Sequence, residues 1–188
     1  MVHVVAMRMA VVSGAVVTRN DYGHQCAICP RKMCAGIHYA EFTVLSTSRS
    51  NSSIIIGVVA EGFGDGARQV AWTTPHGWML WLDSGRDECF MYHDGIHSEW
   101  TGHPRRVKEG DIVGLLLDLE SQTIRVYLNG RRHGLMVSPG MQNHRGGAVE
   151  SLVGPLRWAA DVGDGASVRI ERKPLPRAAS QGERCNVQ

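Results

Sequence analysis

Five side chains of metal-ligating type lie close together between His24 and His38: His24, Cys26, Cys29, Cys34 and His38, spaced H-x-C-x2-C-x4-C-x3-H. Thiolates and imidazoles at such intervals can hold zinc tetrahedrally. A plainer reading is preferred. Cys26 and Ile28 alternate as two residues on one face of a strand, and small thiols are common in apolar cores. No metal and no cofactor is therefore expected.

A second candidate is Leu82-Asp83-Ser84-Gly85, which follows apolar Met79-Leu80-Trp81. It has the D-[ST]-G form of an aspartic protease. That chemistry needs two carboxylates sharing a proton, and a homodimer using Asp83 from each copy would supply them. Asp-Ser-Gly is equally a common turn, so the protease is kept as a remote alternative. The chain has no G-x-S-x-G, no phosphate-cradling glycine loop and no H-E-x-x-H. A protein without catalytic activity is expected.

The five tryptophans divide by their neighbours. Trp81 lies among apolar residues and Trp158 in a late strand-like run, so both are assigned to the core. Trp72 and Trp100 are flanked by polar and turn residues. An indole partly exposed on a loop can fill a partner's pocket, so both are candidate contacts.

The elements that must position these residues read as strands. Gly110–Met136 is the clearest stretch. Ile112 to Leu119 is apolar at nearly every position, as in a strand covered on both faces, whereas Ile124, Val126 and Leu128 alternate with polar neighbours. Asn129-Gly130 marks a tight hairpin, because both residues accept positive φ. Further strands are expected at Val2–Val12, Ala15–Thr18, Gln25–Ile28, His38–Leu45, Ile54–Ala60, Trp78–Asp83, Glu88–Tyr92, Arg131–Val137, Leu156–Asp161 and Val168–Glu171. Twenty-two glycines supply turns between short strands. No window of helical length carries a 3.6-residue apolar period, so little helix is expected. Ser138–Gly154 reads as a long polar loop, and no internal repeat is present.

At 188 residues and 43% hydrophobic content the chain fits one domain with a real core. That domain is placed at residues 1–172, with residues 173–188 as a flexible tail. A net charge of +2 and no Lys/Arg run beyond two residues argue against nucleic acid. No apolar run is long enough to span a bilayer as a helix, and the mildly apolar start is read as a first strand rather than a signal peptide. Five cysteines, an odd number, fit reduced thiols in the cytoplasm.

The order of these pieces resembles the SPRY family of β-sandwich interaction domains. Gly36-Ile37-His38-Tyr39-Ala40-Glu41-Phe42 is similar to the family's G-x-H-Y-[FW]-E-[FV] strand, with Ala40 in place of an aromatic. Gly57-Val58-Val59 is similar to its I-G-V strand, and Gly110-Asp111-Ile112-Val113-Gly114 with Leu117-Asp118 to its G-D-x-[IV]-G…L-D strand. Tyr127-Leu128-Asn129-Gly130 with Gly134 looks like its F-x-x-N-G…G hairpin. Pro155-Leu156 and Val168-Arg169-Ile170 look like its closing strands. The resemblance implies an all-β, antiparallel sandwich of two packed sheets, and gives His38 a structural role.

Met91-Tyr92-His93-Asp94-Gly95 is similar to the L-Y-H-D-G stretch of SPRY proteins that carry a SOCS box, which bind short Asn-rich peptides. The chain has too few residues after the sandwich for that box, and no Trp stands at Gly163-Asp164 where those proteins have one. The resemblance implies an adaptor that recognises a short peptide or loop of a protein partner. Tyr92 is then the aromatic anchor, Ser52 and Asp164 hydrogen-bonding groups, and Arg19 and Tyr22 the rim. Asp164 favours a ligand amide or cation over a carboxylate. Asp94-Gly95 is expected to set the turn that orients Tyr92. A monomer is expected. A lectin-like sandwich binding carbohydrate is the alternative, though no acidic cluster with calcium-ligand spacing supports it.

Overall fold

The computed structural model describes residues 15–18, 25–47, 54–64, 70–82, 89–163 and 165–176. Twelve strands run through them: β1 (Ala15–Thr18), β2 (Gln25–Ile28), β3 (Ile37–Ser46), β4 (Ile54–Ala60), β5 (Gly77–Trp81), β6 (Phe90–His93), β7 (Ile96–Ser98), β8 (Ile112–Asp118), β9 (Thr123–Leu128), β10 (Arg131–Val137), β11 (Leu156–Val162) and β12 (Ser167–Arg172). Among the described residues the helical content is one 3-10 turn, Ala71–Thr73. Two six-stranded antiparallel sheets result. Sheet A has the order β1-β12-β3-β8-β9-β10, and sheet B has β2-β11-β4-β5-β6-β7.

The all-β sandwich expected from the alternating pattern is what forms. The stretch Val2–Val12 lies outside the described residues, and β7 was not read in advance because three residues are too few to show alternation. Ser138–Gly154 is without a strand, and its Gln142 and Ala148 meet in an isolated bridge.

Alternation decides which side chains enter the interior. Sheet A contributes Phe42, Leu115, Leu117, Ile124 and Val126. Sheet B contributes Ile56, Val58, Leu80, Met91 and Trp158, and all ten are buried in one cluster. Phe42 of β3 and Trp158 of β11 meet edge to face across the two layers at 6.1 Å. β8 is covered on both sides, as its unbroken apolar run predicts. Leu116 points away from the main core and is buried against Tyr39 and Tyr127, whose rings meet at 5.9 Å and 84°.

Two of the motif glycines and the Asn-Gly turn have visible jobs. A Cβ at Gly57 would stand 2.1 Å from the Trp78 carbonyl oxygen, so the β4–β5 approach requires its absence. At Gly114 a Cβ would meet the Tyr39 hydroxyl at 2.2 Å. Asn129 and Gly130 take φ of 51° and 78°, the paired positive values of the hairpin turn that the dipeptide predicts. The Asn129 side chain then donates from Nδ2 to Asp111 Oδ1 and accepts from the Ile112 N–H at Oδ1, both at 2.9 Å. The Gly-Asp and Asn-Gly motifs are thus two halves of one lock between the β8 entry and the β9–β10 turn.

Candidate functional site

The outer faces of the two sheets differ. Sheet A presents Glu41, Arg125, Arg169 and Glu171 around the Tyr39–Tyr127 pair. Sheet B presents a second apolar layer, because the β4–β5 connection folds back over it. Phe63 and Ala71 of that connection are buried against Ile55 and Val59 of β4, Met79 of β5 and Ala159 of β11. Gly77 permits the close pass, since a Cβ there would lie 2.2 Å from the Ala71 carbonyl oxygen.

The 3-10 turn Ala71–Thr73 ends this connection and holds Trp72 beside the β6–β7 hairpin. Asp94 and Gly95 make that hairpin's turn, with φ of 49° and 71°. The Asp94 N–H donates to the Thr74 carbonyl at 3.1 Å and the Gly95 N–H to the Trp72 carbonyl at 2.9 Å. Asp94-Gly95 sets the turn that follows Tyr92, and the turn is bonded to the backbone of Trp72 and Thr74.

Three half-buried rings meet there. Trp72 stands edge-on to Trp81 at 5.3 Å and to Tyr92 at 5.4 Å, and Trp81 lies 5.2 Å from Tyr92 at a tilt of 44°. The centroids are too close for a cation to sit between them, so the group is a platform rather than a cage. The row continues through His97, 5.9 Å from Tyr92, to His144, which stacks on His97 at 3.8 Å and 11°. His144 is held by hydrogen bonds from its backbone N–H and from Nδ1 to the His97 carbonyl, each 3.1 Å. The next residue on β6, His93, points inward instead. It stacks on Trp78 at 4.9 Å and bonds from Nδ1 to the Gly77 carbonyl at 2.9 Å.

Of the residues singled out from sequence, Tyr92 and Trp72 are brought together. Trp100 is not with them. It is 7% exposed, in the main core cluster beside β10. Arg19, Tyr22, Ser52, Asp83 and Asp164 lie outside the described residues. Described neighbours of four of them converge on one end of sheet B. Val162 pairs with both Gln25 and Ile54, and the Leu82 N–H donates to the Ile54 carbonyl at 2.9 Å.

Two assignments are corrected: Trp100, expected as a partly exposed loop contact, is buried in the core, and Trp81 is the reverse case. Trp81, placed in the core from its apolar neighbours, is half-buried on the outer face. Trp158 is buried in the core as expected, at 1% exposure, together with Trp78 and Trp100. Trp81, His97 and His144 are the platform residues that sequence reasoning missed. The one available signal was spacing: Trp81 is two residues from Met79, which pairs with Tyr92, so the three share a face.

The cysteine-histidine run does not converge. Burial, and secondarily the Asp161 carboxylate, push the Cys26 thiol well above its ordinary value. Burial raises Cys29 to about 11. Cys34 is exposed, and His38 bonds from Nε2 to the Ala35 carbonyl at 2.9 Å. Among the described residues no three His, Cys, Asp or Glu side chains are grouped to hold a metal ion. His24 lies outside them.

No protein-family model matches the chain, and no curated protein does. Solved structures do. The SPRY domain of human HERC1 superimposes with a TM-score of 0.63 at 18% identity, over 85% of this chain and 89% of that one. A second human SPRY domain superimposes with a TM-score of 0.58 at 17% identity, over 87% and 93% of the two chains. At such identities the likeness is one of fold, and the fold of this chain is that of SPRY domains.

Proposed function

We propose that this chain is a non-enzymatic interaction module, which recognises a short peptide or loop of a partner protein on the aromatic face of sheet B. One observation carries the reading: Trp72, Trp81 and Tyr92 form a half-buried platform whose backbone is tied down at Trp72. Aromatic side chains concentrate binding energy at protein interfaces. A surface ordered before the partner arrives loses less entropy on binding. Likeness to SPRY domains, a fold with connecting segments at the ends of a rigid sandwich, agrees with this use.

In this reading Tyr92 anchors the ligand and Trp72 and Trp81 flank it. Ser52, Asp164, Arg19 and Tyr22 serve as the surrounding polar and rim groups. The chain acts as a cytoplasmic monomer without cofactor. The four described cysteines are free, which suits a reducing compartment. No helix among the described residues is long and apolar enough to cross a membrane.

The test is capture of partners from source-cell extract with the intact chain, followed by peptide mapping of the bound region. Tyr92→Ala, correctly folded by circular dichroism, should lose the captured partner. Retention of the same partner at unchanged affinity would overturn the assignment. A glycan panel run with and without calcium distinguishes the carbohydrate-binding alternative.

A further inference from the structure

We propose that Asn129 is a site of spontaneous deamidation, which the Asp111–Asn129 lock holds back in the folded chain and which, once it has occurred, keeps that lock open. The proposal does not rest on the aromatic-platform reading. The reaction needs only water. The Gly130 backbone nitrogen gives up its proton to solvent base and attacks Asn129 Cγ. The new C–N bond closes a succinimide ring, and Nδ2 takes up a proton and leaves as ammonia. Water then opens the ring at either carbonyl, leaving aspartate or isoaspartate. Asn before Gly is a susceptible pair, because no side chain shields the attacking nitrogen. Both residues are exposed, and a Cβ at Gly130 would meet nothing within 4 Å, so solvent reaches the turn.

The folded geometry opposes the attack twice. At a φ of 51° Asn129 is in the left-handed region, where Cβ and the next nitrogen stand nearly anti across the Cα–C bond. Ring closure needs them nearly eclipsed. The carboxamide is also held towards β8 rather than Gly130. Its Nδ2 donates to Asp111 Oδ1 and its Oδ1 accepts from the Ile112 N–H, while the Asn129 N–H donates to the Ile112 carbonyl at 2.8 Å. Asp111 is itself fixed: it is 8% exposed, and its Oδ2 accepts from the Lys108 N–H at 2.9 Å. Cyclisation must wait until the turn leaves this conformation and both side-chain bonds break.

The product cannot restore what was broken. Aspartate at this position has an acceptor oxygen where Nδ2 donated, so two carboxylates would face each other at the Asp111 contact. Isoaspartate adds a carbon to the main chain inside a turn that sets Leu128 opposite Arg131. Either product loosens the entry to β8. That entry is also joined to β3, through the Val44 N–H donating to the Asp111 carbonyl at 2.9 Å, so the chemical age of one exposed amide is coupled to the packing of sheet A.

The test incubates the full chain and the free peptide Val-Tyr-Leu-Asn-Gly-Arg, residues 126–131, at slightly alkaline pH. The same segment, released from the chain by trypsin, is followed by mass spectrometry, and isoaspartate is counted by enzymatic methylation. The folded chain should convert at least about tenfold more slowly than the peptide, a readout that needs no variant. Asp111→Ala, folded by circular dichroism, should convert about fivefold faster than the parent. Converted chain should unfold at lower denaturant than fresh chain. Asn129→Asp should likewise be less stable than Asn129→Gly, which loses the same bonds without gaining a charge. Conversion of the folded chain at the peptide's rate would overturn the proposal. So would equal rates in Asp111→Ala and the parent, or converted chain as stable as fresh chain.

Discussion

The indole of Trp72 meets the phenol of Tyr92 edge to face, at 5.4 Å and 74°. Their backbones are joined as well, because the Trp72 carbonyl accepts a hydrogen bond from Gly95 in the turn that follows Tyr92. Neither side chain could be repositioned alone. Residues 71–74 and the β6–β7 hairpin are joined by an aromatic contact on the outside and two backbone hydrogen bonds at the turn.

That coupling predicts different outcomes for two substitutions. Trp72→Ala removes a half-buried ring and its contacts with Trp81 and Tyr92. It should cost about 1–2 kcal/mol of stability and weaken partner binding about tenfold or more. Gly95→Val leaves every ring in place but forces a β-branched residue to a φ of 71°, at a similar cost in stability. If the turn orients the platform, binding falls here too. Thermal melting with partner titration checks both, and full affinity in a folded Gly95→Val variant would show the platform to be independent of the turn.

Asn129 carries two burdens that substitution can separate. Its φ is 51°, and its side chain bonds to Asp111 and to the Ile112 N–H. Asn129→Gly keeps the backbone conformation and loses the bonds, for an expected cost of about 1–2 kcal/mol. Asn129→Ala loses both and should cost about 1 kcal/mol more. Denaturant unfolding of the pair measures the difference, and equal stabilities would assign the whole effect to the hydrogen bonds.

Asp118 ties one stability contribution to pH. Burial acts to raise its pKa. Hydrogen bonds from Ser121 and from the Glu120 N–H, with the nearby charge of Arg125, outweigh that and hold it below the ordinary 3.8. A carboxyl lowered in the folded state stabilises the fold at pH above its unfolded value. That stabilisation is lost as pH falls from about 4 through the folded value. Asp118→Asn should therefore lose stability at neutral pH and show a shallower acid transition than the parent. Parallel acid-induced slopes in the two proteins, followed by circular dichroism, would remove Asp118 from the account.

Much of the sandwich could be read from local pattern. Thr123–Leu128, Gln25–Ile28 and Ile54–Ala60 have the same bounds as expected, because strand alternation and turn chemistry involve residues next to one another. The Asn129-Gly130 turn was visible for the same reason. Tyr92 could be singled out from its motif, and Trp72 from its polar flanks. The error over Trp81 shows where such reading stops. In Trp78-Met79-Leu80-Trp81 every residue is apolar, so the pattern has no wet face to mark the outside.

The amino-acid sequence by itself determined that short strands would pair through tight turns and enclose one apolar interior, since those preferences act over a few residues. Only the tertiary structure decided which aromatic rings face outward together. The outer layer of sheet B exists because a connection folds back on it, laying Phe63 and Ala71 over Ile55, Val59 and Met79 and leaving Trp72, Trp81 and Tyr92 at its border. Contacts between distant segments depend on how elements stack, and no spacing within one segment encodes them.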